Sequence, residues 1–173
     1  MYAGGLPEAR LRQWMTWEEI QGLMAAGWHL GAHTHSHPNL SKLSVEDPSG
    51  AQVREELAKC DELLHRHLGI QPRDFAFTGT SWSSAAETEV KKRYRFGRLW
   101  IVGAMYEADG QPIRYADLVG VAGADEEDGG PPAAARYITE ASNPYRLPSM
   151  ELERLLYDHS AFRQYLEGAL IAG

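Results

Sequence analysis

Three histidines lie within five residues of the chain, and this spacing is the first sign of chemistry. His33, His35 and His37 follow directly after the small residues Gly31 and Ala32. Neutral imidazole is the commonest zinc ligand, and side chains at i and i+4 can converge on one ion where a strand ends and bends. A water bound to such an ion titrates near neutrality and becomes a usable nucleophile. The spacing predicts a metal site, and the competing interpretation is an incidental polar turn.

The elements predicted around the histidines would position them. The TWEE sequence at residues 16–19 is a capping box that starts a helix ending near Gly27. Residues 28–33 have the pattern of a strand, and the polar residues 41–50 predict a loop. An apolar stripe at helical spacing predicts a helix over residues 51–68.

The rest of the chain continues this alternation with shorter elements. We predict strands at 75–77 and 99–104, a helix at 84–94, an extended segment at 143–148, and helices at 149–157 and 160–171. Helices that alternate with short strands are typical of an α/β fold. The sequence therefore predicts an α/β protein.

Length and composition predict one globular domain. The chain has 173 residues, of which 43% are hydrophobic and 24% are charged, as is usual for a folded domain. We predict a loose N-terminal arm at residues 1–13 and a single domain at residues 14–173. Within that domain, a mobile acidic and Gly-Pro loop is predicted near residues 122–135.

Charge excludes several classes of partner. Seventeen Lys and Arg residues against twenty-four Asp and Glu give a net charge of −7. A negative chain does not attract phosphate backbones or anionic lipid, so neither nucleic acid nor a membrane surface is expected. No stretch approaches the roughly 18 apolar residues of a membrane span. No secretory signal is visible at the start, which favours the cytoplasm for the sequence as it stands and leaves the location open.

The segment around the histidines resembles the polysaccharide deacetylases of the NodB-homology type, which are similar to carbohydrate esterase family 4. In that family a helix leads into a strand that ends in a His-Ser/Thr-x-x-x-His motif or a close variant. Here the helix at residues 16–20 leads into GWHLGAHTHSHPNL at residues 27–40. Residues 75–80 lie where the family has an aromatic strand and a turn, and the resemblance covers roughly residues 13–157.

This resemblance implies a partial or distorted (β/α) barrel that removes acetyl groups from acetylated sugars. By carry-over, His33 and His37 would bind Zn²⁺ or another divalent metal, and His35 would point elsewhere. The backbone N–H of Gly79 would fall where the family places an oxyanion donor. The implied partner is an acetylated carbohydrate. Trp82 is a candidate platform for a sugar ring, with core packing as its alternative.

The sequence also departs from the family pattern. No Phe-Asp-Asp motif precedes His33 to supply a third ligand and a general base. The carboxylates before it are Glu8, Glu18 and Glu19. Residues 78–80 replace the family's Pro-aromatic-Gly turn, and the Asp-Trp motif is not evident. The Leu-x-His motif is not evident either, since the residues around His159 do not fit it.

The absence of the family's first motif and of its strand has two predicted consequences. Two histidines alone would hold zinc weakly, because no carboxylate completes the site. Asp47, Asp74 or a carboxylate from a second chain could substitute, and the sequence selects none of them. A barrel that lacks its first strand has open sheet edges, which predicts a homodimer.

Three functions remain open at this point. The first is a metal-dependent hydrolase that resembles polysaccharide deacetylases and attacks acetyl groups with an activated water. The second is a truncated, non-catalytic relative that binds metal or carbohydrate, as the missing aspartates favour. The third is a hydrolase that uses His33 and His35, as amidohydrolase barrels do. No histidine lies between His67 and His159 to complete that third site.

Overall fold

The computed structural model describes the two long segments at the centre of the chain and short pieces beyond them. The described residues are 14–79, 81–99, 105–106, 109, 111–113, 138–140, 142–147, 163 and 166–167. The predicted arm at 1–13, the predicted loop at 122–135 and the predicted helix at 149–157 lie outside them. So does most of the predicted helix at 160–171, of which residues 163, 166 and 167 are helical.

Helices and short strands alternate along the described residues. In chain order they are α1 (Trp17–Ala25), α2 (Leu40–Glu46), α3 (Ala51–Leu68), β1 (Asp74–Ala76), α4 (Ser84–Lys91), β2 (Phe96–Arg98), β3 (Met105–Tyr106) and β4 (Pro112–Ile113). This mixture of helix and strand agrees with the predicted α/β class. Helix α4 is shorter than the predicted range of 84–94.

Helices α1 and α3 form where local signals predicted them. At the start of α1, the Thr16 hydroxyl accepts from the Glu19 N–H at 3.2 Å, and the Glu19 carboxylate accepts from the Thr16 N–H at 2.7 Å. This reciprocal pair satisfies two amide groups that no helical turn can reach. Helix α3 covers the predicted residues, and Gly69 ends it with φ +68°. Positive φ is nearly free of strain for glycine, which explains the stop.

Helix α2 corrects the prediction of a loop at residues 41–50. The Asn39 side chain accepts from the Lys42 N–H at 3.0 Å and caps the helix. Leu40, Ser41 and Ser44 are buried. The Ser44 hydroxyl donates to the Leu40 carbonyl at 2.8 Å, so a polar side chain can occupy the interior of the protein. The polar composition of this segment predicts a loop, whereas the segment forms a helix that buries three of its residues.

Four chain segments lie side by side in a parallel arrangement. Strands β1 and β2 pair in parallel, with Phe75 opposite Gly97. Ala32 forms an isolated parallel bridge to Phe75 on one side, and Leu147 forms one to Arg98 on the other. The spatial order is therefore Ala32, β1, β2, Leu147. Over the residues that can be described, this is a narrow parallel array and no closed barrel is seen.

The sheet differs from the predicted strands in two places. The predicted strand at 28–33 is reduced to the Ala32 bridge. Phe96–Arg98 pair just before the predicted strand at 99–104, of which residues 100–104 lie outside the described residues. The segment at 143–148 contains a turn before its bridge at Leu147. Strands β3 and β4 form a separate antiparallel pair.

Aromatic rings and aliphatic side chains form the core beneath this array. The rings of Phe75 and Phe77 meet edge to face at 5.1 Å, and Phe75 stacks on Tyr94 at 5.2 Å. Leu57 and Val53 of α3 are fully buried against them in the same cluster. Burying each of these large side chains stabilises the fold by about 1.5–3 kcal/mol.

None of the helices in the described residues is both long and apolar enough to span a membrane.

Candidate functional site

The three histidines lie on a loop at the carboxyl end of the parallel array. We call residues 33–39 the histidine loop; it follows the Ala32 bridge and precedes α2. Ligands of open α/β sheets bind at this end of the strands. Thr34 has φ +66° and His37 has φ +59°, which non-glycine residues seldom adopt. Each such residue costs about 1–3 kcal/mol, so the surrounding contacts must hold the loop in place.

His33 is anchored to strand β1 through one ring nitrogen. Its Nδ1 lies 2.8 Å from the Ala76 carbonyl oxygen. A carbonyl can only accept, so Nδ1 carries the proton and donates it. In the neutral ring, Nε2 then keeps its lone pair. A histidine fixed in this way by a backbone carbonyl has the tautomer and the orientation of a metal ligand.

The surroundings of His33 favour its neutral form. Partial burial of the ring lowers the pKa of His33, the bond to Ala76 opposes that change, and the neighbouring charges of His37 and Arg98 lower the pKa further. The net result is a pKa below the usual 6.5. The ring is therefore neutral near pH 7, which is the form that can bind a metal ion.

The loop brings His33 and His37 together. Their ring centroids are 5.0 Å apart and the rings are inclined by 70°. The His37 N–H donates to the Thr34 hydroxyl at 3.1 Å, which closes the turn between the two rings. His35 has no ring contact with either histidine among the described residues. The pair at i and i+4 is thus formed, whereas the pair His33 and His35 needed by the amidohydrolase hypothesis is not.

Glu56 holds the histidine loop from helix α3, and sequence reasoning missed it. Its Oε2 accepts from the backbone N–H groups of His35 at 3.1 Å and Ser36 at 2.9 Å. Its Oε1 accepts from the Ser36 hydroxyl at 2.9 Å. Glu56 lies one residue before the buried Leu57, so a carboxylate beside the apolar stripe of α3 was the available signal. The contact spans twenty residues of sequence and cannot be read from local pattern.

A second bond ties the histidine loop to the turn after β1. The Thr78 hydroxyl donates to the Pro38 carbonyl at 2.5 Å, and it lies 2.8 Å from the Ser81 hydroxyl. Gly79 follows Thr78 with φ +50°, in a half-buried position. The turn that contains Gly79 is therefore fixed to the loop that contains the histidines. The role of the Gly79 N–H as an oxyanion donor stays a prediction.

Trp82 does not form a sugar platform. Its side chain is buried, with 2% of its surface exposed. Its indole N–H donates to Glu87 at 2.7 Å, and the Arg146 guanidinium lies over the ring at 4.7 Å from the centroid. A ring enclosed on these sides has no free face to stack on a carbohydrate. This corrects the prediction of a platform and leaves core packing as the role of Trp82.

The carboxylates named as substitute ligands have other partners. Asp47 accepts from the Ser49 hydroxyl and from the Gln52 N–H at the start of α3. Asp74 makes two bonds to Arg95, at 3.1 and 2.8 Å. Asp74 also begins β1, whereas His33 bonds to the last residue of that strand. Within the described ranges, no cluster of three or more His, Cys, Asp or Glu side chains could hold a metal ion.

The two histidines still fit part of a metal site. Their imidazole donors suit Zn²⁺, the backbone carbonyl of Ala76 orients one of them, and the loop brings both rings to one place. Structural and catalytic zinc sites require at least three protein ligands. His33 and His37 are therefore suitable zinc ligands, but two ligands do not complete a zinc site.

Comparison with known proteins identifies the family. The chain matches the family model named polysaccharide deacetylase over residues 7–95, slightly more than half of its length. The chain therefore belongs to the polysaccharide deacetylase family, as the sequence around the histidines predicted.

One solved structure and the curated proteins complete the comparison. The crystal structure of the Xyl-CE4 domain of a multidomain xylanase, from the hindgut metagenome of Trinervitermes trinervoides, is 14% identical to this chain with a TM-score of 0.41. The alignment covers 91% of this chain and 64% of that one, so the chain spans less than two thirds of that domain. No curated protein matches the chain.

Proposed function

We propose that this chain acts in the metal-dependent removal of acetyl groups from an acetylated carbohydrate, with His33 and His37 as metal ligands. One observation carries the proposal. In a member of the polysaccharide deacetylase family, the two imidazole rings lie 5.0 Å apart at the carboxyl end of a parallel array. The bond from His33 to the Ala76 carbonyl fixes one ring with its second nitrogen available.

The chemistry assigned to each part of the site follows from its position. A bound Zn²⁺ or similar ion would polarise the acetyl carbonyl and lower the pKa of a water molecule. His33 and His37 would hold that ion, and Glu56 would keep the loop in its strained conformation through the His35 and Ser36 amides. The Gly79 N–H would donate to the oxygen that becomes negative when the acetyl group is attacked.

We further propose that the parallel array belongs to a distorted (β/α) barrel. The order Ala32, β1, β2, Leu147 supports this, because each step is parallel and each segment is linked to the next by at least one bridge. Helices α2 and α3 lie between Ala32 and β1, and helix α4 lies between β1 and β2, as is usual for parallel connections.

A second function has its own supporting observation. The two histidines have no third ligand among the described residues, and Asp47 and Asp74 bond elsewhere. A chain with this ligand set would bind metal or carbohydrate without hydrolysing it. We place this non-catalytic function second, because the chain belongs to the polysaccharide deacetylase family.

Acetate release separates the two functions. We expect the purified protein with added Zn²⁺ to release acetate from N-acetylglucosamine oligomers. His33→Ala and His37→Ala should each abolish the release, and the matched control His35→Ala should preserve it. Metal binding without acetate from any acetylated oligosaccharide would instead support the non-catalytic function. Equal acetate release by all four proteins would refute the assignment of the ligands.

A further inference from the structure

Arg98 ends strand β2 at the same level as the last residue of β1. Ala76 and Arg98 are partners in the parallel register, and the Arg98 carbonyl accepts from the Phe77 N–H at 2.9 Å. On the other side of β1, the Ala76 carbonyl accepts from the Nδ1 of His33 at 2.8 Å. His33 and Arg98 therefore flank Ala76 at the carboxyl end of the array, where ligands of α/β sheets bind.

His33 and Arg98 also share the face of the array that points away from the core. Successive side chains of a strand point to opposite faces. Gly97 faces the core, because a Cβ at this residue would lie 2.9 Å from the Phe77 ring. Arg98 follows Gly97 and is exposed, and His33 follows the buried Ala32 and is also exposed. The guanidinium and the imidazole are thus available to the same ligand.

A gap separates the two side chains, and its floor is small. Neighbouring strands lie about 4.7–4.9 Å apart, so two spacings place the backbones of His33 and Arg98 roughly 9–10 Å from each other. The side chain between them is the methyl group of Ala76, which leaves the space above it unfilled. One sugar ring can lie across Ala76, with one end at the histidines and the other at Arg98.

The charge beside this gap favours an anion. Partial burial is the main cause of the lowered pKa of His33, and the positive charge of Arg98 is a further cause, so the guanidinium lies close enough to act on the ring. Asp74, on the same face of β1, bonds to Arg95 at 3.1 and 2.8 Å. A guanidinium presents paired N–H donors that match the two oxygens of a carboxylate. This positive site occurs in a chain of net charge −7.

We propose that Arg98 binds a carboxylate of the substrate, so that the acetylated carbohydrate is an acidic one that contains a uronic acid. This inference rests on the proposed function, which places the acetyl group at His33 and His37. The gap over Ala76 favours an acetyl group and a carboxylate at opposite ends of one ring. N-acetylglucosaminuronic acid has this arrangement, because the hydroxymethyl group of N-acetylglucosamine is oxidised to a carboxylate.

Two oligosaccharides that differ in this one group test the role of Arg98. N-acetylglucosamine oligomers are compared with the same oligomers after oxidation of their hydroxymethyl groups. With Zn²⁺ added, kcat/KM for acetate release should be about tenfold higher for the oxidised oligomers, as a charge-assisted hydrogen bond predicts. Arg98→Gln should abolish this preference. Arg98→Lys keeps the charge but loses the paired donors, so its preference should be intermediate.

Arg66→Gln is the matched control. It removes one positive charge from an exposed ion pair with Glu62 on α3. Its preference for the oxidised oligomers should stay within about twofold of the unaltered protein, because an exposed pair contributes little.

A binding measurement tests the same site without turnover. The full chain with its metal chelated is titrated with each oligomer and followed by NMR. The oxidised oligomers should shift the Arg98 Nε–H signal and bind with a lower Kd than the neutral ones. Their advantage should shrink as the salt concentration rises, because Arg98 is exposed to solvent.

The outcomes distinguish this inference from the proposed function. Equal Kd values for the two oligomers, or a preference that Arg98→Gln retains, would overturn the role of Arg98 and leave His33 and His37 as proposed ligands. Tighter binding of the oxidised oligomers that depends on Arg98, without acetate release from either oligomer, would support the carboxylate site and contradict the proposed hydrolysis. A preference in both measurements that Arg98→Gln loses supports both.

Discussion

The Nδ1 atom of His33 lies 2.8 Å from the carbonyl oxygen of Ala76, across 43 residues of sequence. This bond attaches the first residue of the histidine loop to the last residue of β1. It also selects the tautomer in which Nε2 is free, and the lowered pKa of His33 keeps the ring neutral near pH 7. One backbone carbonyl therefore sets the orientation and the protonation pattern of a proposed metal ligand.

Glu56 should determine metal affinity without touching the metal. Glu56→Gln removes the charge that accepts from the His35 and Ser36 N–H groups, so the strained loop loses its main anchor on α3. We expect zinc affinity to fall about 10–100-fold, as for other residues that orient ligands. Competition with a chromophoric chelator measures this.

Glu55→Gln is the matched control for Glu56. Glu55 is exposed, and among the described residues it pairs with Lys59 on the same helix, at 2.6 Å. The change should leave zinc affinity within about twofold of the unaltered protein, because exposed ion pairs contribute little. Equal zinc affinities for the two variants would contradict the anchoring role of Glu56.

Glu87 should be the most important carboxylate for stability among those described. It is 2% exposed and accepts from Trp82 and Arg146, each at 2.7 Å, and pairs with Lys91 at 2.5 Å. We expect Glu87→Gln to lower the free energy of unfolding by about 2–3 kcal/mol, because Arg146 and the indole N–H lose a charged partner. Urea denaturation measures the change. Glu62→Gln, which removes an exposed pair with Arg66, should cost less than about 0.5 kcal/mol.

The ionisation of Glu87 should make the stability of the fold depend on pH. Burial alone would raise the pKa of Glu87, but the bonds from Arg146, Lys91 and Trp82 outweigh it and hold the pKa below the usual 4.5. A carboxyl group with a lowered pKa stabilises the fold above its unfolded-state pKa and loses that effect as pH falls through its folded-state pKa. The difference in stability between the unaltered protein and Glu87→Gln should therefore shrink between about pH 6 and about pH 3. A constant difference would show that the charge of Glu87 is not responsible.

Two glycines should respond to alanine in opposite directions. A Cβ at Gly97 would lie 2.9 Å from the buried Phe77 ring and 3.0 Å from the Tyr145 carbonyl oxygen. We expect Gly97→Ala to destabilise the protein by about 1–3 kcal/mol through overpacking. At Gly22 in α1 a Cβ would meet nothing within 4 Å, so Gly22→Ala should stabilise by about 0.5–1 kcal/mol. Thermal unfolding of the two variants checks both signs, and a stabilised Gly97→Ala would contradict the packing of β2.

Elements with complete local signals could be predicted from the sequence. Helix α1 has its capping box, and α3 has both an apolar stripe and Gly69 at its end. Helix α2 could not be predicted, because the burial of Ser41 and Ser44 depends on distant partners such as the Ser83 hydroxyl, 2.6 Å from Ser44. The same limit applies to Trp82, whose burial depends on contacts with Glu87 and Arg146.

The candidate site, too, could be predicted from the sequence only in part. The i and i+4 spacing of His33 and His37 was sufficient to predict their proximity, since five residues of one loop form the pair. Glu56 and Ala76 are supplied by segments far along the chain, and no local pattern links them to the histidines. The family was recognisable from the loop and its helix, which lie within the matched residues 7–95.

Zinc content tests the central claim most directly. The purified protein, His37→Ala and His35→Ala should be equilibrated with Zn²⁺, passed over a desalting column and analysed by plasma mass spectrometry. We predict about one zinc per chain in the unaltered protein and in His35→Ala, and almost none in His37→Ala. Zinc retained equally by His37→Ala, or absent from the unaltered protein, would contradict the assignment of His33 and His37 as a metal-binding pair.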